Sequence, residues 1–351
     1  MEESVALENE SSLETGRLVS SKISHSSTRN EATWVQSIHS KHGSVSVPQT
    51  IAHRGYSAKF PENTMNAFRH AVEVGAHGIE TDVHLSKDGV VVLSHDATLK
   101  RCFGIDRRLV EWDWKYLSAL RTLEPPHEHM PRLIDLLEYV AAAERANVWI
   151  LLDIKIDNNP HDVITALTHA FDSVPSPHRP WNERVVLGCW TAKYLSLVRD
   201  HFPTYPLTIT AFSIQYARRF LPIPGVSISI NQKALMGCVG GRRFLAQAQR
   251  AGKAVFLWTV NQEALMRWSV RKRVDGVITD EPELFREIGR QWEEDDYGDG
   301  FVSVEAEIGV RQRAAALVAA LASWVLGLVL MVMYPVRFAR LEGTGDDALR
   351  C

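Results

Sequence analysis

Short apolar runs alternate with amphipathic stretches between residues 50 and 292, regularly enough to order the chain. Thr50 to His53 reads as a strand. Pro61-Glu62-Asn63-Thr64 then supplies a polar cap, after which Met65, Phe68, Ala71 and Val72 recur near the 3.6-residue helical period. Gly78 to Val83 is a β-branched run in which Glu80 and Asp82, two apart, share one face of a strand. Further strands are expected at Val148–Ile154, Arg184–Trp190, Leu207–Phe212, Val226–Ile230, Ala254–Val260 and Gly276–Thr279. Helical patterns separate them at Leu133–Arg145, Val163–Phe171, Tyr194–His201, Phe244–Ala251, Glu263–Val270 and Glu283–Trp292.

One pair of runs breaks the rhythm. Ser86-Lys87-Asp88-Gly89 is a turn signal followed at once by Val90-Val91-Val92-Leu93. A parallel pairing needs a crossover of about a dozen residues or more, so Gly78–Val83 and Val90–Leu93 are expected as an antiparallel hairpin. A four-residue turn places His95 opposite Glu80, and a two-residue turn places it opposite Asp82. Either register predicts His95 beside a carboxylate on the same face. With the hairpin as an excursion from the second strand, the remaining strands number eight, alternating with helical patterns. The predicted fold is therefore α/β, a closed parallel (β/α)8 barrel over residues 46–292. An open doubly wound sheet is the competing architecture, but no GxGxxG follows the first strand.

The flanks differ from this core. Residues 1 to about 45 are rich in Ser, Glu and Asn and lack a sustained apolar period, which predicts disorder. The acidic start without an apolar h-region argues against a secretory signal. Residues 293–313 read as an acidic, Gly-containing linker. Residues 314–334 carry no charge over ~20 residues, about 30 Å as a helix. That run predicts a membrane-anchor helix, followed by a short tail over 335–351. The anchor implies a membrane-associated protein with a cytosolic barrel, at the endoplasmic reticulum, a lipid droplet or the mitochondrial outer membrane. Arg311 and Arg313 on one side and Arg337 and Arg340 on the other leave its orientation open.

Composition adds two exclusions. A formal net charge of −3 gives no reason to expect a nucleic-acid partner. The cysteines, at positions 102, 189, 238 and 351, have no metal-ligand spacing, which suits free thiols in a reducing compartment. No obligate protein partner is evident.

The chemistry lies at strand ends. His53, Glu80, Asp82, Asp153, Trp258 and Asp280 all fall at or near the C-terminal ends of expected strands, where β/α barrels carry their active sites. Taken singly, an HRG, an ExD or a DxK is more often structural than catalytic; their joint placement reverses that balance. Glu80, Asp82 and Asp153 form an oxygen-ligand set suited to one divalent cation, Mg2+ or Ca2+. Arg54 and Lys155 offer positive charge to a phosphodiester. His53 and His95, with ordinary pKa values near neutrality, suit a general acid and a general base.

HRG at His53–Gly55, PENT at Pro61–Thr64, ETD at Glu80–Asp82, HD at His95–Asp96, DIK at Asp153–Lys155, WTVN at Trp258–Asn261 and DGVITDEP at Asp275–Pro282 together resemble the glycerophosphodiester phosphodiesterases. The resemblance spans roughly residues 50 to 290, with the motifs in the family's order. It implies a TIM barrel with a hairpin insertion after strand 2 and one divalent ion. It also implies Glu80, Asp82 and Asp153 as metal ligands, His53 and His95 as the catalytic pair, Arg54 and Lys155 on the phosphate, and Trp258 lining a glycerol pocket. The family commonly has Glu where this chain has Asp153. The LLDIK, LWTVN and GCW motifs with an apolar C-terminal run look most like the fungal phosphatidylglycerol-specific phospholipase C. That subgroup implies cleavage of phosphatidylglycerol to diacylglycerol and glycerol phosphate. The alternatives are a phosphodiesterase or lysophospholipase D acting on deacylated or lyso substrates, and a non-enzymatic lipid-binding barrel.

Overall fold

The computed structural model describes residues 32–39, 46–237 and 240–294, together with residues 314, 316–318, 321, 322 and 325. Two-residue strands β1 (Ile38–His39) and β2 (Ser46–Val47) form a small antiparallel pair. The main sheet then runs through β3 (Gln49–His53), β4 (Gly78–Leu85), β5 (Val91–Leu93), β6 (Trp149–Ile154), β7 (Val185–Cys189), β8 (Leu207–Ala211), β9 (Val226–Asn231), β10 (Val255–Trp258) and β11 (Gly276–Thr279). All of these except β5 pair parallel with their neighbours, and β3 pairs with both β11 and β4, which closes the sheet. The result is the expected eight-stranded parallel barrel with helices, and β5 lies antiparallel on β4 as the expected hairpin.

Two hydrophobic layers hold it. Valines, isoleucines and leucines on the outer faces of the strands meet the apolar stripes of the helices in one large buried cluster. A second, smaller cluster fills the barrel interior with Ile51, Trp149, Leu151, Val186, Phe256 and Ile278. Side-chain caps start several helices that follow the strands. Thr64 Oγ1 accepts from the Ala67 amide, Thr191 Oγ1 from that of Tyr194, and Ser213 Oγ from that of Tyr216.

Three expectations change. Residues 32–39 fall within the segment expected to be disordered, yet Thr33–Val35 form a 3-10 turn, and Val35 is 1% exposed within the interior cluster. The Gln49 amide ties this segment down, donating to the carbonyls of Trp34 and Gln36 at 2.8 and 2.6 Å. A few apolar side chains closing a barrel leave no sequence period to detect.

The hairpin turn is also longer than expected. Val83 pairs with Leu93 and Leu85 with Val91, so five residues, 86–90, connect the strands. Extending this register sets Thr81, rather than Glu80 or Asp82, opposite His95. The ladder continues to Ser94, whose amide donates to the Asp82 carbonyl at 3.0 Å, and the chain bends at His95, which shares one cavity with the carboxylates.

The membrane anchor is the third correction. Among the described residues no helix is long and apolar enough to cross a membrane. Of residues 314–334 only 314, 316–318, 321, 322 and 325 are described, all helical. An uncharged run fixes hydropathy, but a span requires a continuous helix of about 20 residues. The membrane localisation deduced from that run therefore falls. The linker expected over 293–313 starts inside the last helix, which runs to Glu294, and its residues 295–313 and the tail over 335–351 lie outside the described residues.

Candidate active site

Strand register decides which side chains meet. In the β3–β4 pair His53 lies opposite Glu80, and in the β4–β6 pair Asp82 lies opposite Asp153. Glu80, Asp82 and Asp153 are all buried, and each offers a carboxylate oxygen such that all three atoms lie within 4.8 Å of one another. Lys155 Nζ bridges Asp82 Oδ1 at 2.7 Å and Asp153 Oδ2 at 2.5 Å. The backbone N–H of Arg54 donates to Glu80 Oε2 at 3.0 Å, and its Nε lies 3.2 Å from Asp82 Oδ2. Asn63 Nδ2 donates to the same Asp82 oxygen at 2.8 Å.

The HRG turn makes this approach possible. Arg54 and Gly55 both have positive φ, 57° and 83°. A Cβ on Gly55 would stand 2.7 Å from the Ala67 carbonyl carbon, so only glycine allows the turn to pack on the following helix.

The acidic cluster fits a hard divalent cation. Its donors are all carboxylate oxygens, the class such ions prefer, and Asp153 Oδ1 is buried with no hydrogen-bond partner. The shorter side chain of Asp153 still reaches its two neighbours. Burial, and next the Asp82 charge, push the Glu80 carboxyl up to about 8. Burial also opposes ionisation of Asp82, but Lys155 and Arg54 outweigh it and hold this carboxyl well below the usual range. A cation among these groups would favour the carboxylate form of Glu80.

The histidines stand in different fields. His53 Nδ1 is 2.6 Å from Asp280 Oδ1, and its Nε2 is 3.9 Å from Glu80 Oε2. Burial lowers its pKa, but Glu80 and Asp280 more than compensate, and the net shift is upward. Asp280 is itself held by the Ser57 hydroxyl at 2.9 Å and by the Asn261 amide. His95 Nδ1 is 2.7 Å from Asp96 Oδ1. Burial lowers the His95 pKa, Asp82 raises it, and Lys155 with Arg54 tips the balance downward.

The eight residues given a role from the sequence line one cavity of about 150 Å³: His53, Arg54, Glu80, Asp82, His95, Asp153, Lys155 and Trp258. Its apolar wall is aromatic. Phe212 meets Trp258 edge-on with ring centroids 4.8 Å apart, and Trp190 lies 5.9 Å from Trp258. Lys155 Nζ sits 5.7 Å from the Trp190 ring centre, within cation–π range.

Sequence reasoning gave no role to several residues that shape this site. Asp280 was visible as a strand-end acid, but its partner His53 is 227 residues away. His84 carried no signal: buried on β4, it places Nε2 3.1 Å from the His95 carbonyl oxygen, where an N–H donates and fixes the bend. Glu62, Asp96 and Arg101 form ion pairs around the rim that only the fold brings together.

Comparison with known proteins identifies the family. Residues 53–284 match the model of the "Glycerophosphoryl diester phosphodiesterase family". A glycerophosphodiester phosphodiesterase of Caldanaerobacter subterraneus subsp. tengcongensis is 25% identical over 258 residues, covering 69% of this chain and 97% of its own. A lysophospholipase D of Rattus norvegicus is 26% identical over 275 residues, 68% of this chain and 85% of its own. Among solved structures, the glycerophosphodiester phosphodiesterase of Thermotoga maritima superposes with a TM-score of 0.56 at 28% identity, over 69% of this chain and 98% of that one. An Oleispira antarctica phosphodiesterase in complex with the product sn-glycerol-3-phosphate shares the fold, with a TM-score of 0.59 at 22% identity over 69% and 96% of the two chains. The chain belongs to the glycerophosphoryl diester phosphodiesterase family and is a phosphoric diester hydrolase.

Proposed function

We propose that the enzyme binds the glycerophosphoryl half of a glycerophosphodiester in the cavity at the C-terminal end of the barrel and releases the second alcohol. The observation that carries this reading is the meeting of two histidines, two cations and three buried carboxylates in one small cavity with an aromatic wall. At about 150 Å³ that cavity suits a small polar group rather than a diacyl lipid body. The similar Oleispira protein was solved with sn-glycerol-3-phosphate, the product expected here.

Glu80, Asp82 and Asp153 would hold one divalent cation, Mg2+ or Ca2+. Such a cation supplies positive charge against the phosphate oxygens. Arg54 and Lys155 add to that charge and orient the diester. The two histidines divide the proton transfers. His95, shifted toward its neutral form, accepts the proton of the attacking hydroxyl, either water or the neighbouring glycerol hydroxyl. His53, whose pKa Glu80 and Asp280 raise against the effect of burial, gives its proton to the oxygen of the departing alcohol as the P–O bond breaks. Attack by the glycerol hydroxyl forms a cyclic phosphate that water then opens, and the intramolecular route has a large effective concentration. Trp258 packs against the glycerol carbons.

Phosphatidylglycerol offers the same glycerophosphoryl half, with diacylglycerol as the leaving alcohol. The likeness of the GCW motif, whose Trp190 stands in the cavity wall against Trp258 and Lys155, to the phosphatidylglycerol-specific phospholipase C supports this second reading. The purified protein should be given glycerophosphocholine, lysophosphatidylcholine and phosphatidylglycerol in turn with Mg2+ or Ca2+, and the products identified. Choline from either of the first two supports the phosphodiesterase or lysophospholipase D reading, and diacylglycerol from the third supports the phospholipase C reading. No metal-dependent product from any of them would refute both.

A further inference from the structure

The two halves of the proposed chemistry meet at one exposed side chain. Arg101, on the short helix Lys100–Phe103 beyond the hairpin, donates from Nη1 and Nη2 to the Glu62 carboxylate at 2.6 and 2.7 Å. Its Nε donates to Asp96 Oδ2 at 2.7 Å. Each carboxylate passes the contact inward. Glu62 Oε1 accepts from Arg54 Nη1 at 2.9 Å, and Asp96 Oδ1 lies 2.7 Å from His95 Nδ1. A continuous chain therefore runs His95–Asp96–Arg101–Glu62–Arg54, and the Arg54 Nε closes it onto Asp82.

We propose that Arg101 is a positioning residue for diester cleavage, clamping Glu62 and Asp96 so that Arg54 and His95 are held in place in the shared cavity. The proposal rests on the roles given above to His95 and Arg54. His95 needs such a hold, because it lies two residues past the end of β5 and just beyond the last bond to β4, from the Ser94 amide to the Asp82 carbonyl. Its two restraints are the His84 contact to its carbonyl and the Asp96 contact to its ring. Only the second orients the imidazole, and Asp96 is in turn fixed by Arg101. The planar guanidinium matters more than its charge. Three N–H groups point in fixed directions at two carboxylates, a geometry that the single ammonium of lysine cannot reproduce.

Steady-state kinetics on glycerophosphocholine with Mg2+ tests this, using R101Q, R101K, H95A and the double variant H95A/R101Q. R101Q should lower kcat by about 10- to 100-fold, the scale of a small misplacement of a catalytic group, and raise KM through the Arg54 arm. R101K should recover less than half of the lost kcat. In the H95A background R101Q should lower kcat by no more than about twofold while the rise in KM persists, because the kcat effect travels through His95. A purely stabilising residue would lower the melting temperature and leave kcat of the folded fraction unchanged. If R101Q fails to fold, R101K keeps the charge and stem and must still show reduced kcat. Wild-type kcat in R101Q or in R101K overturns the clamp, as does a full multiplicative loss in the H95A background. Near-normal turnover by H95A itself instead removes the premise that His95 takes part.

Discussion

Asp280→Asn isolates the contact that tunes His53. The carboxylate lies 2.6 Å from His53 Nδ1, and the Ser57 hydroxyl and the Asn261 amide hold it in place. Asparagine keeps the shape and can keep one neutral hydrogen bond to the ring, but it removes the negative charge. A charge-assisted hydrogen bond contributes about 1.5–3 kcal/mol and a neutral one about 1 kcal/mol, so about 0.5–2 kcal/mol is lost from the imidazolium. At ~1.4 kcal/mol per tenfold, the loss corresponds to a fall of about 2- to 30-fold in kcat/KM near neutral pH. It also has a sign in pH. Asp280 is one of the groups raising the His53 pKa, so the variant's imidazolium gives up its proton at lower pH. If His53 is the acid, the alkaline limb of the kcat/KM profile moves down by about one pH unit, with the melting temperature close to that of the wild type. An unmoved alkaline limb would refute the assignment of the leaving-group proton to His53. An acidic limb that moves instead would exchange the two histidines' roles.

Four further outcomes follow from the same geometry. His53→Ala and His95→Ala should each lower kcat by at least ~10²-fold on glycerophosphocholine, and near-normal turnover in either would sink the acid–base pair. Removal of divalent ions by a chelator should abolish turnover, and Mg2+ or Ca2+ should restore it; Asp153→Asn should raise the ion concentration needed for half-maximal rate at least tenfold, and unchanged metal dependence would remove Asp153 from the ligand set. Gly55→Ala should destabilise the fold by about 2–4 kcal/mol in denaturant unfolding, since the added Cβ meets the Ala67 backbone in a left-handed turn, and a cost below about 1 kcal/mol would contradict that packing. His77 is held neutral, with burial and then Arg286 lowering its pKa to about 4, while its Nδ1 accepts the Thr50 amide at 2.9 Å. Its contribution is complete above the unfolded value near 6.5 and fades as pH falls toward 4. His77→Gln should therefore lose about 2 kcal/mol less stability than the wild type between pH 7 and pH 4.5, and parallel losses would show that His77 does not titrate this way.

The barrel was legible in the chain because its strands are β-branched runs punctuated by capped, amphipathic helices. Each expected strand lies within two residues of its observed ends, as with Val148–Ile154 against Trp149–Ile154. Helices Ile214–Arg218 and Gln232–Met236 were not legible, since five residues are too few to display a 3.6-residue period. The site residues were visible because chemistry concentrates at strand ends, and motif order located them. Their supports were not. Arg101 lies 39 residues from Glu62, and His84 acts through a backbone carbonyl, so neither leaves a local pattern. The hairpin register was misjudged for a related reason: Val90 alternates like a strand residue, but its amide donates to the Ser86 hydroxyl at 2.9 Å and keeps it in the turn.

The most direct test follows the phosphorus. Glycerophosphocholine is incubated with the wild type and with Glu80→Gln, with and without added Mg2+ or Ca2+, and the 31P NMR spectrum is recorded over time. The diester resonance should convert to that of glycerol phosphate only with wild type and metal, with choline released in equal amount. Conversion at an undiminished rate in Glu80→Gln, or in the presence of excess chelator, would contradict a metal-assisted site built on the three buried carboxylates.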